Sequence, residues 1–341
     1  MSSPYSNRDN GFHQDSMAGN SEKNLFVLIA CDVDPLAGQN FLNTSTKETI
    51  WDDTLRAVIN LKQILEKIKD TSSHSPKFTW FLRSDWETYR TCDDWCYPVS
   101  NYTETWKDFQ RSGDEIGWHP HLARLNEGKK SWYQETEDIP WMMQCLDKGY
   151  QELSHHFSIQ SSRAGWTFHS NDTMKMISDL GIMYDVSAMP EYFQYGGFDD
   201  NLDWRNTPLN PYHPSANDYR VRGTGAASLK VLEIPVSVYP LPYPFNVLLK
   251  KQYKHYNLAA NPLIFSKMSE NLFAESTIVK KCIMSIHPSD ISQKKAISDP
   301  LSNCRKNIIS LLRKAERRDY PVRFLTAGEF GNFWKQTIEI E

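Results

Sequence analysis

Apolar runs of strand length recur along this chain, and each stops abruptly at polar residues. Asn24-Leu-Phe-Val-Leu-Ile-Ala-Cys31 is the first. Its unbroken apolar character predicts a parallel strand buried on both faces. It ends in Asp32-Val33-Asp34-Pro35. Lys77-Phe-Thr-Trp-Phe-Leu82 is the second and leads into Arg83-Ser84-Asp85. A third strand follows the turn at Ser112-Gly113 and runs into His119-Pro120-His121. Further strands are predicted over 182–187, which contains Asp185, over 229–238, over 278–286, which ends at His287, and over 321–325.

Helical spacing lies between these runs. A capping box at Ser45 and Glu48 precedes Ile50, Val58, Leu61, Leu65 and Ile68, which share one helical face. Helices are also predicted over 102–110, 132–157, 171–180, 301–317 and up to Trp334, the 171–180 helix closing at Gly181. His155 and His156 are sequence neighbours near a helix end, share no face and read as surface residues. Strands alternating with helices predict a parallel sheet or barrel. The number of strand-like runs favours an α/β fold, a distorted (β/α) barrel of about seven strands forming a single domain over residues 24–335. Residues 1–23 are polar and predicted to be a disordered tail. Periodicity is lost over 190–226, which predicts a long loop insertion, and 240–276 carries no readable pattern.

Composition narrows the class of protein. The net charge of −4 and the sequence pI near 6.2 give no basic footprint for nucleic acid. No basic stretch precedes an apolar one at the N-terminus, and no apolar run is long enough to span a membrane. The expectation is a cytoplasmic protein with reduced thiols, Cys31 and Cys282 lying inside strands. Cys92 and Cys96 have no second pair to make a zinc ribbon. The 11 Trp, 16 Tyr and 16 Phe suit a sugar-binding surface, though large cores use aromatics too. Tyr192, Phe193, Tyr195 and Trp204 are candidates for such a platform, or for packing of the long loop.

Acids and histidines recur at the ends of strands: Asp32 and Asp34, His119 and His121, Arg163, Asp185 and His287. In a barrel those ends meet at one mouth, where α/β barrels carry their chemistry. His119 and His121 are two apart, so on a strand they point to one side and can converge on a metal ion. Taken alone, the pair also suits a strand end with two partly exposed histidines.

With these motifs the chain resembles the polysaccharide deacetylases of the NodB-homology type (carbohydrate esterase family 4), over roughly residues 24–335. Asp32-Val33-Asp34 resembles the family's first motif, and Gly113-Asp-Glu-Ile-Gly-Trp-His119 the segment leading to its metal histidines. Arg163 with Gly165-Trp166 is similar to the third motif. Tyr184-Asp185-Val-Ser187 resembles the segment whose acid orients the last histidine, and His287 that histidine. The chain departs from the pattern in two places. Position 123 is Ala where a histidine is usual, so His121 stands in, as in a His-Pro-His branch associated with bacterial surface-polysaccharide (O-antigen type) gene clusters. Val33 also separates the two acids.

The resemblance implies a divalent metal, Zn²⁺ or else Co²⁺ or Ni²⁺, held by Asp34, His119 and His121, with His169 as the reserve third ligand. It implies Asp32 as base, Arg163 as its ion-pair partner, His287 as general acid and Asp185 as the group orienting His287. The implied reaction removes an N-acetyl group from a sugar of a surface polysaccharide or its precursor, with no nucleic-acid partner. A catalytically inactive carbohydrate-binding barrel and a metal-independent glycoside hydrolase with paired carboxylates are the alternatives.

Overall fold

Strand β1 (Asn24–Val33) is the axis of the fold, and every residue from Leu25 to Val33 is buried. The computed structural model describes residues 23–36, 47–194, 202–241, 253–274, 279–292 and 299–337. The predicted tail, apart from Lys23, lies outside them, and so do Ser45 of the capping box and Tyr195. One edge of β1 pairs with β13 (Val279–Ile286) from Asn24 to Cys31. The other edge is shared, with Leu25–Val27 pairing with β14 (Val322–Phe324) and Ile29–Val33 with β2 (Phe78–Arg83). From β2 the sheet continues through β3 (Glu115–His119), β6 (Ser161–Ser162) and β7 (Tyr184–Asp185) to β10 (Leu232–Glu233). All pairings in this eight-stranded sheet are parallel. Beyond β10, Ser237 N–H donates to the Ile283 carbonyl of β13 at 3.0 Å, so the two ends of the sheet meet and close a distorted barrel.

The alternation of β1 divides the core in two. Leu25, Val27, Ile29 and Cys31 join the larger apolar cluster. That cluster includes residues of α1 (Lys47–Leu65), α4 (Thr103–Arg111), α5 (Ile139–Ser154), α7 (Pro262–Ala274) and α9 (Pro300–Glu316). Phe26, Leu28 and Ala30 face the other way, into the barrel, with Phe81, Tyr184, Leu232 and Ile283. Helix α10 (Ala327–Thr337) plugs the amino-terminal end of the barrel with Phe330 and Trp334, and Phe333 packs 4.3 Å from the Phe26 ring. A period of two then carries Asp32 onto the interior face above this apolar filling.

Two segments differ from the expectation. The helix predicted over 132–157 begins only at Ile139. Before it, β4 (Ala123–Asn126) and β5 (Ser131–Gln134) form an antiparallel hairpin. Trp132 and Gln134 alternate inward on β5, and the Asp138 carboxylate caps α5 by accepting the Trp141 N–H at 3.1 Å. The insertion over 190–226 is packed where it is described. Its β8 (Phe193–Gln194) pairs with β9 (Leu202–Asp203), Trp204 and Tyr212 are fully buried, and Tyr212 bridges Glu233 to cover the edge of β10. Among the described residues no helix is long and apolar enough to cross a membrane.

Candidate active site

The carboxyl ends of six parallel strands deliver polar residues to one mouth. Asp32 comes from β1, Arg83 from β2, His119 from β3, Arg163 follows β6, Asp185 ends β7 and His287 follows β13. Backbone bonds hold the segment after β6 against the one after β3: Arg163 N–H donates to the Trp118 carbonyl at 2.9 Å and Gly165 N–H to the Pro120 carbonyl at 2.7 Å. His121 lies past Pro120 rather than on β3, and its ring packs directly on Gly165. A Cβ at position 165 would lie 2.0 Å from His121 Cδ2, so only glycine fits there. Trp166 and Thr167 follow with φ of 50° and 58°, a left-handed backbone that non-glycine residues rarely adopt. The Trp166 ring stands edge-on to His121 at 5.0 Å.

Asp34, His119 and His121 converge on one point. His119 Nε2 and His121 Nε2 are 3.1 Å apart, and Asp34 Oδ1 lies 3.6 Å and 3.4 Å from them. A tetrahedral zinc with ligand bonds of roughly 2.0–2.1 Å needs donor separations of about 3.3–3.4 Å, so the donor set fits such an ion. Both rings are buried, and Asp34 is partly open. Burial raises the Asp34 carboxyl, but His119 and His121 more than offset this and hold it well below the carboxylate range. For His121, burial and the Arg83 guanidinium lower the pKa, which favours the neutral ring that a metal requires.

Beside this set stands a second group. Arg163 Nε lies 2.8 Å from Asp32 Oδ1 and 2.9 Å from Oδ2, where it donates its hydrogen bond. The guanidinium also donates to the Val186 carbonyl. Burial opposes ionisation of Asp32, yet Arg163, His119 and His287 together hold its pKa below the usual value. His287 Nε2 lies 3.2 Å from Asp32 Oδ2 and Nδ1 3.5 Å from Asp290 Oδ2. Burial lowers the His287 pKa, but Asp290 and Asp32 overcome it and raise it well above the ordinary histidine value.

Two expectations need correction. Asp185 does not orient His287: its carboxylate lies 3.2 Å from His169 Nε2, and Ser162 Oγ donates to it at 2.6 Å. The strand order explains this: Asp185 pairs directly with Ser162 and Glu233, and β10 stands between β7 and β13, the strand that leads into His287. Burial and the Asp185 charge raise Glu233 well above the carboxylate range, while His169 holds Asp185 low against its own burial. The acid beside His287 is Asp290, on α8 (Pro288–Ser292). His169 is not a reserve ligand either: its Nε2 faces Asp185 and Ser187, its Nδ1 faces Thr173, and it stands outside the convergent set. Of the platform aromatics, Trp204 is core, its Nε1–H donating to the Thr167 carbonyl at 2.8 Å, while Phe193 is 45% exposed under the Arg205 guanidinium.

Sequence reasoning missed Arg83, Asp85, Glu87 and Asp290 as site residues. The polar break Arg83-Ser84-Asp85 after an apolar strand was the available signal for the first two, and Glu87 had none. For Asp290 it was the three-residue spacing from His287 at a helix start.

No family model and no curated protein matches the sequence. The fold is similar to several solved structures. A candidate polysaccharide deacetylase from Mycobacterium smegmatis is 17% identical, with 94% of this chain and 93% of that chain covered at a TM-score of 0.55. A candidate glycoside hydrolase/deacetylase from Parabacteroides distasonis is 13% identical, with 93% and 73% covered at 0.57. The allantoinase Puue is 12% identical, with 93% and 92% covered at 0.53. This chain therefore has the fold that these polysaccharide deacetylase-like and allantoinase structures share.

Proposed function

We propose that this chain is a metal-dependent hydrolase that removes an N-acetyl group from a sugar of a surface polysaccharide or its precursor. The observation that carries this reading is the convergence of the Asp34, His119 and His121 donor atoms beside the Asp32–Arg163 ion pair and His287. The fold and the motif resemblance support the deacetylase class, and His119-Pro120-His121 supports the surface-polysaccharide branch.

Asp34, His119 and His121 are the residues that would hold a divalent cation, and Zn²⁺, Co²⁺ or Ni²⁺ all suit imidazole and carboxylate donors. When bound, such a cation lowers the pKa of water and polarises a carbonyl oxygen. Asp32 takes the proton from the attacking water. Its Oδ1 lies 2.8 Å from Arg163 Nε, but the hydrogen bond of that N–H goes to Oδ2, which leaves Oδ1 lone pairs for this proton. Arg163 keeps that carboxylate ionised and aimed. Water adds to the acetyl carbonyl, the C–N bond breaks, and the leaving amine takes its proton from His287, which Asp32 and Asp290 hold protonated. Acetate and the free amino sugar are the products.

The test is acetate release from N-acetylated oligosaccharides by the purified chain, before and after chelation. The expected protein carries about one metal ion per chain, loses activity on chelation and regains it with zinc. Asp32→Asn should keep the metal and lose roughly 10²–10⁴-fold in turnover. Turnover that survives chelation would replace this reading with a carboxylate-only glycoside hydrolase. Glycan binding with no acetate released would replace it with a binding barrel. Opening of a cyclic amide in place of acetate release would point to an allantoinase-type substrate.

A further inference from the structure

The two histidines of the proposed metal site are held differently. His119 Nδ1 lies 2.5 Å from the Arg163 carbonyl, so that ring is oriented by a backbone acceptor. His121 Nδ1 is buried and makes no hydrogen bond. Glu87 Oε2 stands 3.7 Å from it, just beyond hydrogen-bond range. Glu87 is itself 5% exposed and lies in the first turn of α2 (Trp86–Cys92). Asp85 caps that helix by accepting the Thr88 N–H at 2.9 Å, and its other oxygen accepts the His121 backbone N–H at 3.3 Å. Helix α2 is thus tied to the His121 backbone, which fixes where Glu87 sits.

The charges around Arg83 are unbalanced. Its guanidinium meets Asp34 at 3.0 Å, Asp85 at 3.0 Å and Glu87 at 2.7 Å. One cation facing three carboxylates leaves negative charge in a buried place, which is costly without a further positive partner. A metal ligand's second ring nitrogen normally donates to a carboxylate or carbonyl that sets its tautomer. His121 Nδ1 lacks an acceptor, and the Glu87 Oε2 that accepts from Arg83 stands beside it with lone-pair capacity to spare.

We propose that Glu87 is a positioning residue: its carboxylate receives the Nδ1–H of His121 and fixes the tautomer that presents Nε2 to the cation. The inference rests on the metal-hydrolase reading. Glu87→Ala is tested on the full chain by zinc competition against a chelating dye, by unfolding of the metal-free protein, and by nitrogen NMR of the His121 ring, assigned with His121→Gln. The expected result is a loss of about 10–100-fold in zinc affinity. With it, the His121 tautomer of the metal-free protein moves from Nδ1–H toward Nε2–H. Glu87→Gln, which keeps an acceptor without the charge, should lose less and hold the tautomer, and it carries the comparison if the alanine variant does not fold. Normal zinc uptake by the wild type, with affinity and tautomer unchanged in Glu87→Ala, would overturn this inference alone. A lower melting temperature with an unchanged tautomer would also overturn it, as a purely structural role. No zinc uptake by the wild type, with the tautomer still shifting in Glu87→Ala, would instead sink the metal reading and leave the hold of Glu87 on His121 standing.

Discussion

His287 sits between two carboxylates, and that decides its charge. Burial works against protonation, but Asp290 and Asp32 hold the pKa well above the ordinary value. A group with a raised folded-state pKa contributes its full stability below its unfolded value of about 6.5, and that contribution is lost as pH rises through the folded value. The proton that His287 gives to the leaving amine follows the same sign, present on the acid side and lost on the alkaline side. Asp290→Asn removes one of the two stabilising charges, so the alkaline limb of kcat/KM should move to lower pH. Asp185→Asn should leave that limb in place, because Asp185 faces His169. A limb moved by the Asp185 variant and not by the Asp290 variant would reverse this assignment. His287→Ala should lower kcat by roughly 10²–10⁴-fold with metal content unchanged, and metal loss in that variant would make His287 a ligand.

The two segments that carry the site, after β3 and after β6, depend on close backbone contact. Gly165 lies where any Cβ would enter the His121 ring. Gly165→Ala must therefore push His121 away from Asp34 and His119, and elemental analysis should find zinc occupancy reduced at least about tenfold, as for loss of a group orienting a ligand. Full occupancy in that variant would mean that the ring or the loop gives way more easily than this packing implies. The hairpin β4–β5 departs further from the expectation. Its short strands follow a period of two inside a stretch rich in residues common to both states, and the helix start is marked only by Asp138 and Pro140.

The barrel as a unit gathers Asp32, Asp34, Asp85, Glu87 and Asp185 at one end, against Arg83, Arg163 and His287. Such a mouth gains from a bound cation, and a ligand that binds only the folded state stabilises it by about 2.7 kcal/mol at a hundred times its Kd. For a chain of 341 residues, with an unfolding entropy of roughly 2.1 cal/mol/K per residue, that corresponds to a rise of about 4 °C in Tm. Thermal unfolding with zinc and with chelator should show this difference in the wild type and not in His121→Ala. A Tm indifferent to zinc in both would count against the site.

The alternation of the main strands and helices, the buried character of β1 and the placement of acids and histidines at strand ends were legible in the sequence, whereas the β4–β5 hairpin, α2 and α7 were not. Those features follow from local periodicity: an unbroken apolar run needs two covered faces, and a polar stop after it marks a strand's end. Asp32, Asp34, His119, His121, Arg163 and His287 could be singled out because each breaks such a pattern. Apart from the Asp32–Arg163 pair, which the family resemblance implied, their partners could not. Whether Asp185 or Asp290 faces His287, whether His169 or His121 meets Asp34, and whether Trp204 is a platform or core depend on parallel register and on how the barrel closes. Parallel strands are joined by long crossovers, so which side chains become neighbours is set by non-local pairing that no local pattern encodes. Glu87 is the clearest case: no sequence pattern marks it, and it becomes a first-turn acid of α2 and a neighbour of the His121 ring only in the folded chain.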